Sequence, residues 1–171
     1  MTVFVPEFGP VGIWYSVFNS VSAFCNAGID IISADSLVPY VFNPMINFVT
    51  ISLIVLGGMG YVVWWDVGNA VKNRIKYNTK ILNSLSLHSR IVIFSTLILI
   101  FGGALCIFIF EYNNPLTMKD YNLYERVVAS LFQSVTTRTA GFYSTPQENL
   151  SSASSILSVL LMFIGGSPVG T

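Results

Sequence analysis

Two stretches of this chain, residues 36–65 and 91–110, contain no Asp, Glu, Lys or Arg. An α-helix needs about 20 apolar residues to cross a hydrocarbon core of about 30 Å, so each stretch is long enough to span a bilayer. In the first, the apolar part covers residues 45–65 and ends on Trp64 and Trp65, aromatics suited to a membrane interface. A third run, from Asn149 onward, is strongly apolar only over residues 156–164, about half a span. Charged residues are 9% of the chain and hydrophobic ones 53%, against about 25% charged in an ordinary soluble domain. These features exclude a solvated globular surface and predict an all-α membrane protein whose partner is the lipid bilayer. Eight basic and eight acidic residues cancel, so no global basic field exists to hold nucleic acid. Cys25 and Cys106 are too few for a disulfide framework or a four-cysteine metal site.

Residues 66–90 carry Lys72, Arg74, Lys76, Lys80 and Arg90 against the single acid Asp66, a local balance of +4 with −4 over the rest. Short loops rich in Lys and Arg stay on the cytoplasmic side, which puts this linker inside and sends both flanking spans outward. The chain therefore divides at residues 1–65, 66–90 and 91–171. Near the N-terminus Glu7 and Pro6 precede the apolar run and no basic region leads it, which does not fit a signal peptide. Residues 11–24 read instead as a short helix that enters the membrane and returns.

The segment Phe18-Asn-Ser-Val-Ser-Ala-Phe-Cys-Asn-Ala-Gly28 is echoed, one residue shorter, by Phe132-Gln-Ser-Val-Thr-Thr-Arg-Thr-Ala-Gly141. In both places a short helix with a polar Ser, Thr, Asn and Gln face leads to an Ala-Gly turn, a loop with acids and Pro, and an apolar run. Such recurrence indicates an internal duplication. Irregular backbone at membrane depth is tolerated only where protein buries it or water-filled space adjoins it. Each Ala-Gly turn is thus expected to line a pore. A helix ending there aims its negative dipole end and its unpaired carbonyls at what lies beyond, which favours a cation. Glycine at 28 and 141 admits positive φ, so that successive carbonyls can face a dehydrated ion. Asn26, Thr137 and Thr139 supply only neutral side chains.

Together with Leu161-Met-Phe-Ile-Gly-Gly-Ser-Pro-Val-Gly-Thr171, these segments make the chain resemble the membrane subunits of the Trk/Ktr/HKT superfamily of potassium uptake transporters, nearest to bacterial Ktr. The resemblance covers almost the whole chain. It implies membrane-pore-membrane repeats with re-entrant pore helices, of which this sequence holds the middle: the pore loop and second span of one repeat in 1–65, the linker, and the first span, pore loop and truncated last span of the next in 91–171. It further implies that Cys25, Asn26, Ala27, Gly28 and Ile29 form one filter strand and Thr137, Arg138, Thr139, Ala140, Gly141 and Phe142 another. Backbone carbonyls of Asn26, Ala27, Gly28, Thr139, Ala140 and Gly141 would then ligate K⁺, the transported ion, with no cofactor. Cys25 stands where Asn is common and Ile29 where an aromatic is common. Gly165, Gly166, Ser167, Pro168, Val169, Gly170 and Thr171 resemble an intramembrane gate loop, and Gly and Pro there cannot extend a helix. The resemblance also implies a plasma-membrane location in a bacterium, a homodimer of the full-length subunit, and a cytosolic nucleotide-binding regulatory ring of the KtrA/TrkA kind as partner.

Other motifs carry plainer readings. Gly57-Gly58-x-Gly60 and Gly102-Gly103 sit in apolar runs without a following Lys, which fits close helix packing and not a phosphate cradle. Arg138 is the one charge in a pore segment, and a cation beside a K⁺ path is expected to point away and be paired, with Asp30, Glu111 and Glu125 as candidates. His88, the only histidine, reads as an interfacial anchor. The serines of residues 151–158 have no acid-base partner nearby and read as helix-packing residues, so no enzyme chemistry is expected. Two alternatives to conduction stand beside this reading: a membrane packing scaffold, and a truncated piece of the transporter. On the latter view these 171 residues alone do not restore K⁺ uptake, and growth of an uptake-deficient strain on them contradicts it.

Overall fold

The computed structural model describes residues 3–33, 35–77, 85–138 and 140–165. Among these residues seven α-helices follow one another, and there is no strand: α1 Phe4–Phe8, α2 Val11–Phe24, α3 Pro44–Gly58, α4 Tyr61–Tyr77, α5 Leu87–Glu111, α6 Leu123–Thr136 and α7 Ser152–Ile164. The helix read from residues 11–24 therefore has the predicted bounds.

Local chemistry sets most helix starts. Asn43 caps α3, its Oδ1 accepting from the amides of Met45 at 3.1 Å and Ile46 at 3.3 Å, with Pro44 at the first helical position. Ser86 and Ser151 cap α5 and α7 in the same way, accepting from Ser89 and Ser154. At α6 the Glu125 carboxylate reaches back to the Asn122 amide at 2.8 Å. α2 stops in a Schellman turn: the Asn26 amide donates to Ala23 O (3.2 Å) and the Ala27 amide to Ser22 O (2.9 Å), with Asn26 at φ +52°.

One expected span is not a single helix. The apolar run of residues 45–65 breaks after Gly58, and α4 leaves α3 at 94°. An uncharged run reports length and hydropathy but not direction, and here Gly60 turns the corner at φ +79° while the Trp64 indole donates to Leu56 O at 2.8 Å across it. α3 is roughly 22 Å long and α5 roughly 37 Å. Among the described residues α5 alone is long and apolar enough to cross a membrane, and α3 with α4 qualifies as a bent pair. On the linker side Asp66 of α4 accepts from the Ser86 amide (3.0 Å) and the Ser89 hydroxyl (2.7 Å), tying α4 to the start of α5.

Packing is inside-out. α5 lies along α6 and α7, α2 along α3, and α3 touches α6, so α6 sits at the centre. Beside apolar Phe132, Val135 and Phe142, the interior holds Asn19, Thr50, Thr96, Ser130, Gln133, Ser134, Ser154 and Ser158. Outward, α5 presents Phe94, Ile98, Phe101, Leu105 and Ile109, and Phe163 of α7 is 91% exposed. Polar groups within and hydrocarbon without is the arrangement a lipid solvent selects. Small residues allow the close contacts: a Cβ on Gly57 would lie 1.8 Å from Phe24 O, and one on Gly103 would lie 2.5 Å from Ser134 Oγ. Gly102 has nothing within 4 Å, so the packing role expected of the Gly102-Gly103 pair belongs to Gly103.

The exposed face of α5 makes a direct prediction. An arginine at the centre of a lipid-facing helix costs about 2.5–3.5 kcal/mol on the insertion scale. Phe101→Arg is therefore expected to lower the carbonate-resistant membrane fraction, while Leu87→Arg, at the helix end where the side chain can snorkel, leaves it unchanged. Equal extraction of the two variants contradicts a lipid-facing α5.

Candidate functional site

α2 and α6 each have 14 residues, and the chain leaving one meets the chain leaving the other. A Cβ built on Gly28 would stand 2.5 Å from the carbonyl oxygen of Ala140 and 2.5 Å from Gly141 Cα; one on Gly141 would stand 2.9 Å from Gly28 Cα. The two Ala-Gly segments thus touch backbone to backbone. Their glycines have φ of +65° and +85°, a region that L side chains avoid. Just beyond, the Leu37 amide donates to Tyr143 O at 3.0 Å and the Tyr143 amide approaches Ser36 Oγ at 3.4 Å, so the pairing continues outward.

Around this contact the hydrogen bonds divide sharply. At the end of α6 the amides of Thr137, Arg138 and Ala140 donate to the carbonyls of Gln133, Val135 and Thr136. Past the glycines, Ile29 O accepts from the Ser22 hydroxyl at 2.8 Å and Phe142 O accepts from the Thr136 hydroxyl. Between these, among the described residues, the carbonyls of Asn26, Ala27, Gly28, Ala140 and Gly141 accept no protein hydrogen bond. Two helix C-termini, each worth about half a negative charge, end next to them. Five carbonyls that accept from no protein donor among the described residues therefore lie beside two helix C-termini.

Several predicted site residues fall short of this cluster or point elsewhere. Thr137 is buried and turns its hydroxyl back to Ser134 O at 3.0 Å. The Asn26 amide nitrogen, in its satisfied orientation, donates to Ala23 O (3.2 Å) and Ile54 O (3.3 Å), fastening the end of α2 to α3. Cys25 is an exposed free thiol. The Ile29 side chain is exposed, whereas Phe142 is in the core. Arg138 is half-buried, and its Nη2 donates to the carbonyl of Gly165, the residue that ends α7, at 3.3 Å. The three carboxylates considered for Arg138 accept from other groups: Asp30 from the Ile32 amide, Glu125 from the Asn122 amide, and Glu111 from Thr117, Asn114 and Ser151. Thr139 and, of the gate loop, Gly166, Ser167, Pro168, Val169, Gly170 and Thr171 lie outside the described residues.

Beside the N-terminus of α3 the Tyr40 hydroxyl donates to Glu7 at 2.8 Å, and burial, then this bond, pushes the phenol well above its ordinary pKa. Gln133 and Gln147 exchange amide hydrogen bonds of 2.9 and 3.0 Å. Sequence reading missed the hydroxyl contacts of Ser22 and Thr136. The signal was present, because both stand fifth in the echoed pentads Phe18-Asn-Ser-Val-Ser22 and Phe132-Gln-Ser-Val-Thr136.

Comparison with known proteins gives the chain its relatives. The TrkH family profile, described as a cation transport protein, matches residues 5–171. Over 170 residues the chain is 39% identical to the potassium/sodium uptake protein NtpJ of Enterococcus hirae, covering 99% of this chain and 35% of that protein. It is 38% identical over 168 residues to the Ktr system potassium uptake protein B of Bacillus subtilis, with 98% and 36% covered, and 32% identical to the protein of the same name in Vibrio alginolyticus, with 98% and 35% covered. The chain spans about a third of the length of these relatives. These relatives are uptake proteins and not enzymes. With a family match that runs from residue 5 to the last residue, the chain belongs to the TrkH family of cation transport proteins.

Proposed function

We propose that this chain serves potassium uptake across the bacterial plasma membrane, as part of a multi-pass subunit in which the two Ala-Gly segments are filter strands. The observation that carries the reading is the contact of Gly28 with Gly141, flanked by carbonyls of Asn26, Ala27, Ala140 and Gly141 that bond to nothing else among the described residues. Because the two backbones touch, the ion passes beside them and not between them. Further oxygens then come from strands of the other membrane-pore-membrane repeats that the resemblance implies. Carbonyl dipoles replace the hydration shell of a monovalent cation without a fixed charge that would trap it. Arg138 keeps its charge off the path by donating to Gly165 O, which joins the second strand to the start of the gate loop of residues 165–171. In this reading α2 and α6 are re-entrant pore helices, the linker is cytoplasmic, the full-length subunit is a homodimer, and a cytosolic nucleotide-binding ring regulates it.

The names of the relatives support K⁺ as the substrate. The test is a chimera in which these 171 residues replace the matching third of the Bacillus subtilis protein. It is expected to restore growth of an uptake-deficient strain at low K⁺. Normal membrane abundance with no growth and no Rb⁺ flux contradicts the proposal and returns the chain to a packing role.

A further inference from the structure

One residue at the end of each central helix does the same two things. The Ser22 carbonyl accepts from the amide of Ala27 at 2.9 Å, and its hydroxyl both donates to Ile29 O at 2.8 Å and accepts from the Ile29 amide at 3.0 Å. The Thr136 carbonyl accepts from the amide of Ala140 at 3.0 Å, and its hydroxyl donates to Phe142 O. In both copies a single residue thereby grips the positions immediately before and after the glycine. Both are buried, at 5% exposure each, so water does not compete for these bonds.

We infer that Ser22 and Thr136 are positioning residues for ion selection, each a clip that holds the residue before and the residue after Gly28 or Gly141 against the end of its helix. This rests on the reading of those segments as filter strands. Glycine at positive φ has no side chain to hold its peptide planes, and a peptide free to rotate presents its N–H to the path as readily as its C=O. The clip restricts that freedom by anchoring the chain on both sides of the glycine, and it leaves the glycine's own carbonyl and that of the preceding residue open: in each copy it takes the amide of the residue before the glycine and the carbonyl of the residue after it, and at Ser22 also the amide of Ile29. A hydroxyl is the one small side chain that can serve, since the helix carbonyl is already committed and the flanking oxygen needs a donor. Ser and Thr are interchangeable in this duty; Ala, Val and Cys are not, because the first two lack a donor and a thiol is a weak one.

The test uses the complete coding sequence in an uptake-deficient strain, with Rb⁺ and Na⁺ uptake measured side by side and normalised to membrane abundance. Loss of one such buried hydrogen bond is expected to lower the Rb⁺-to-Na⁺ ratio about 2- to 10-fold in Ser22→Ala and in Thr136→Val. Ser22→Thr and Thr136→Ser are expected to keep the parental ratio. Where an Ala or Val variant does not accumulate, Ser22→Cys, close to serine in volume, reads the same bond. An unchanged ratio in Ser22→Ala and Thr136→Val, or equal loss of both ions, overturns the clip. If Gly141→Ala changes the ratio in that same experiment, the filter reading survives this failure. If Gly28→Ala and Gly141→Ala leave it unchanged as well, the filter reading fails and takes the clip with it.

Discussion

Gly28→Ala and Gly141→Ala, each in the complete coding sequence, are expected to cut K⁺ or Rb⁺ uptake by about tenfold or more, corresponding to about 1.4 kcal/mol or more on the transport barrier. Two costs act together. A side chain at φ +65° or +85° costs about 1–2 kcal/mol relative to glycine. The new methyl group would also stand 2.5 Å from Ala140 O, or 2.9 Å from Gly28 Cα, where the neighbour is backbone and cannot rotate aside. Relief requires the two segments to part by about an ångström, ordinary contact being about 3.5–4.0 Å. Carbonyls displaced that far no longer share one ion. Gly102→Ala and Gly68→Ala are the controls: nothing lies within 4 Å of either, and both are helical, so each is expected to be neutral or to add up to about 1 kcal/mol of helix stability. Full uptake in Gly28→Ala and Gly141→Ala at normal abundance contradicts a carbonyl-lined path here.

Glu111→Leu is expected to be the most destabilising single change outside that path. Glu111 ends α5 with no exposed surface. Its carboxylate accepts from Thr117 Oγ1 at 2.6 Å, Asn114 Nδ2 at 2.7 Å and the Ser151 amide at 2.9 Å. The charge opposes the dipole of its own helix but favours that of α7, whose N-cap is Ser151. Asn114 also donates to Asn149 O, so one carboxylate organises both loops on this side of the bundle. Leucine leaves three donors without an acceptor at about 1–3 kcal/mol each, several kcal/mol against a total stability of about 5–15 kcal/mol. Glu111→Gln is expected to lie between, because its amide accepts at one position and meets donors with N–H at the other. Thermal unfolding of the detergent-solubilised protein, followed by tryptophan fluorescence, should rank Tm as parent, Gln, Leu. An unaltered Tm in Glu111→Leu contradicts this role.

How much of this could be read from residues alone differs from element to element. Residues 11–24 were legible as a short helix because the uncharged run of residues 8–29 is interrupted by Gly9, Pro10 and Gly12 and is rich in Ser and Asn, which does not suit a full span. The echoed segments announced two helices that each end in an Ala-Gly turn, since similar sequences in similar hydropathic settings are expected to fold alike, but the backbone contact of Gly28 with Gly141 was not legible in either segment. Residues 45–65 misled, because Gly57, Gly58 and Gly60 are compatible with both a tight straight helix and a corner, and only contact with Phe24 and the Trp64 indole distinguishes them. Arg138 was expected to seek a carboxylate, yet its described contact is a helix-end carbonyl, which also carries negative charge and leaves no formal charge in sequence to betray it. The carboxylate cluster at the end of α5 was invisible for a related reason: Ser151 stands 40 residues from Glu111 along the chain, and only the packing of α7 on α5 brings its amide to the carboxylate.

Conduction in this family member depends on the touching glycine segments offering their oxygens to a permeating ion. Its most direct test is a structure of the protein in its membrane assembly, determined in Rb⁺ and read by anomalous scattering. A Rb⁺ peak is expected beside the contact of Gly28 and Gly141, with carbonyl oxygens from both segments among its ligands. Rb⁺ ordered elsewhere, with these carbonyls capped by protein donors or turned toward lipid, would contradict it.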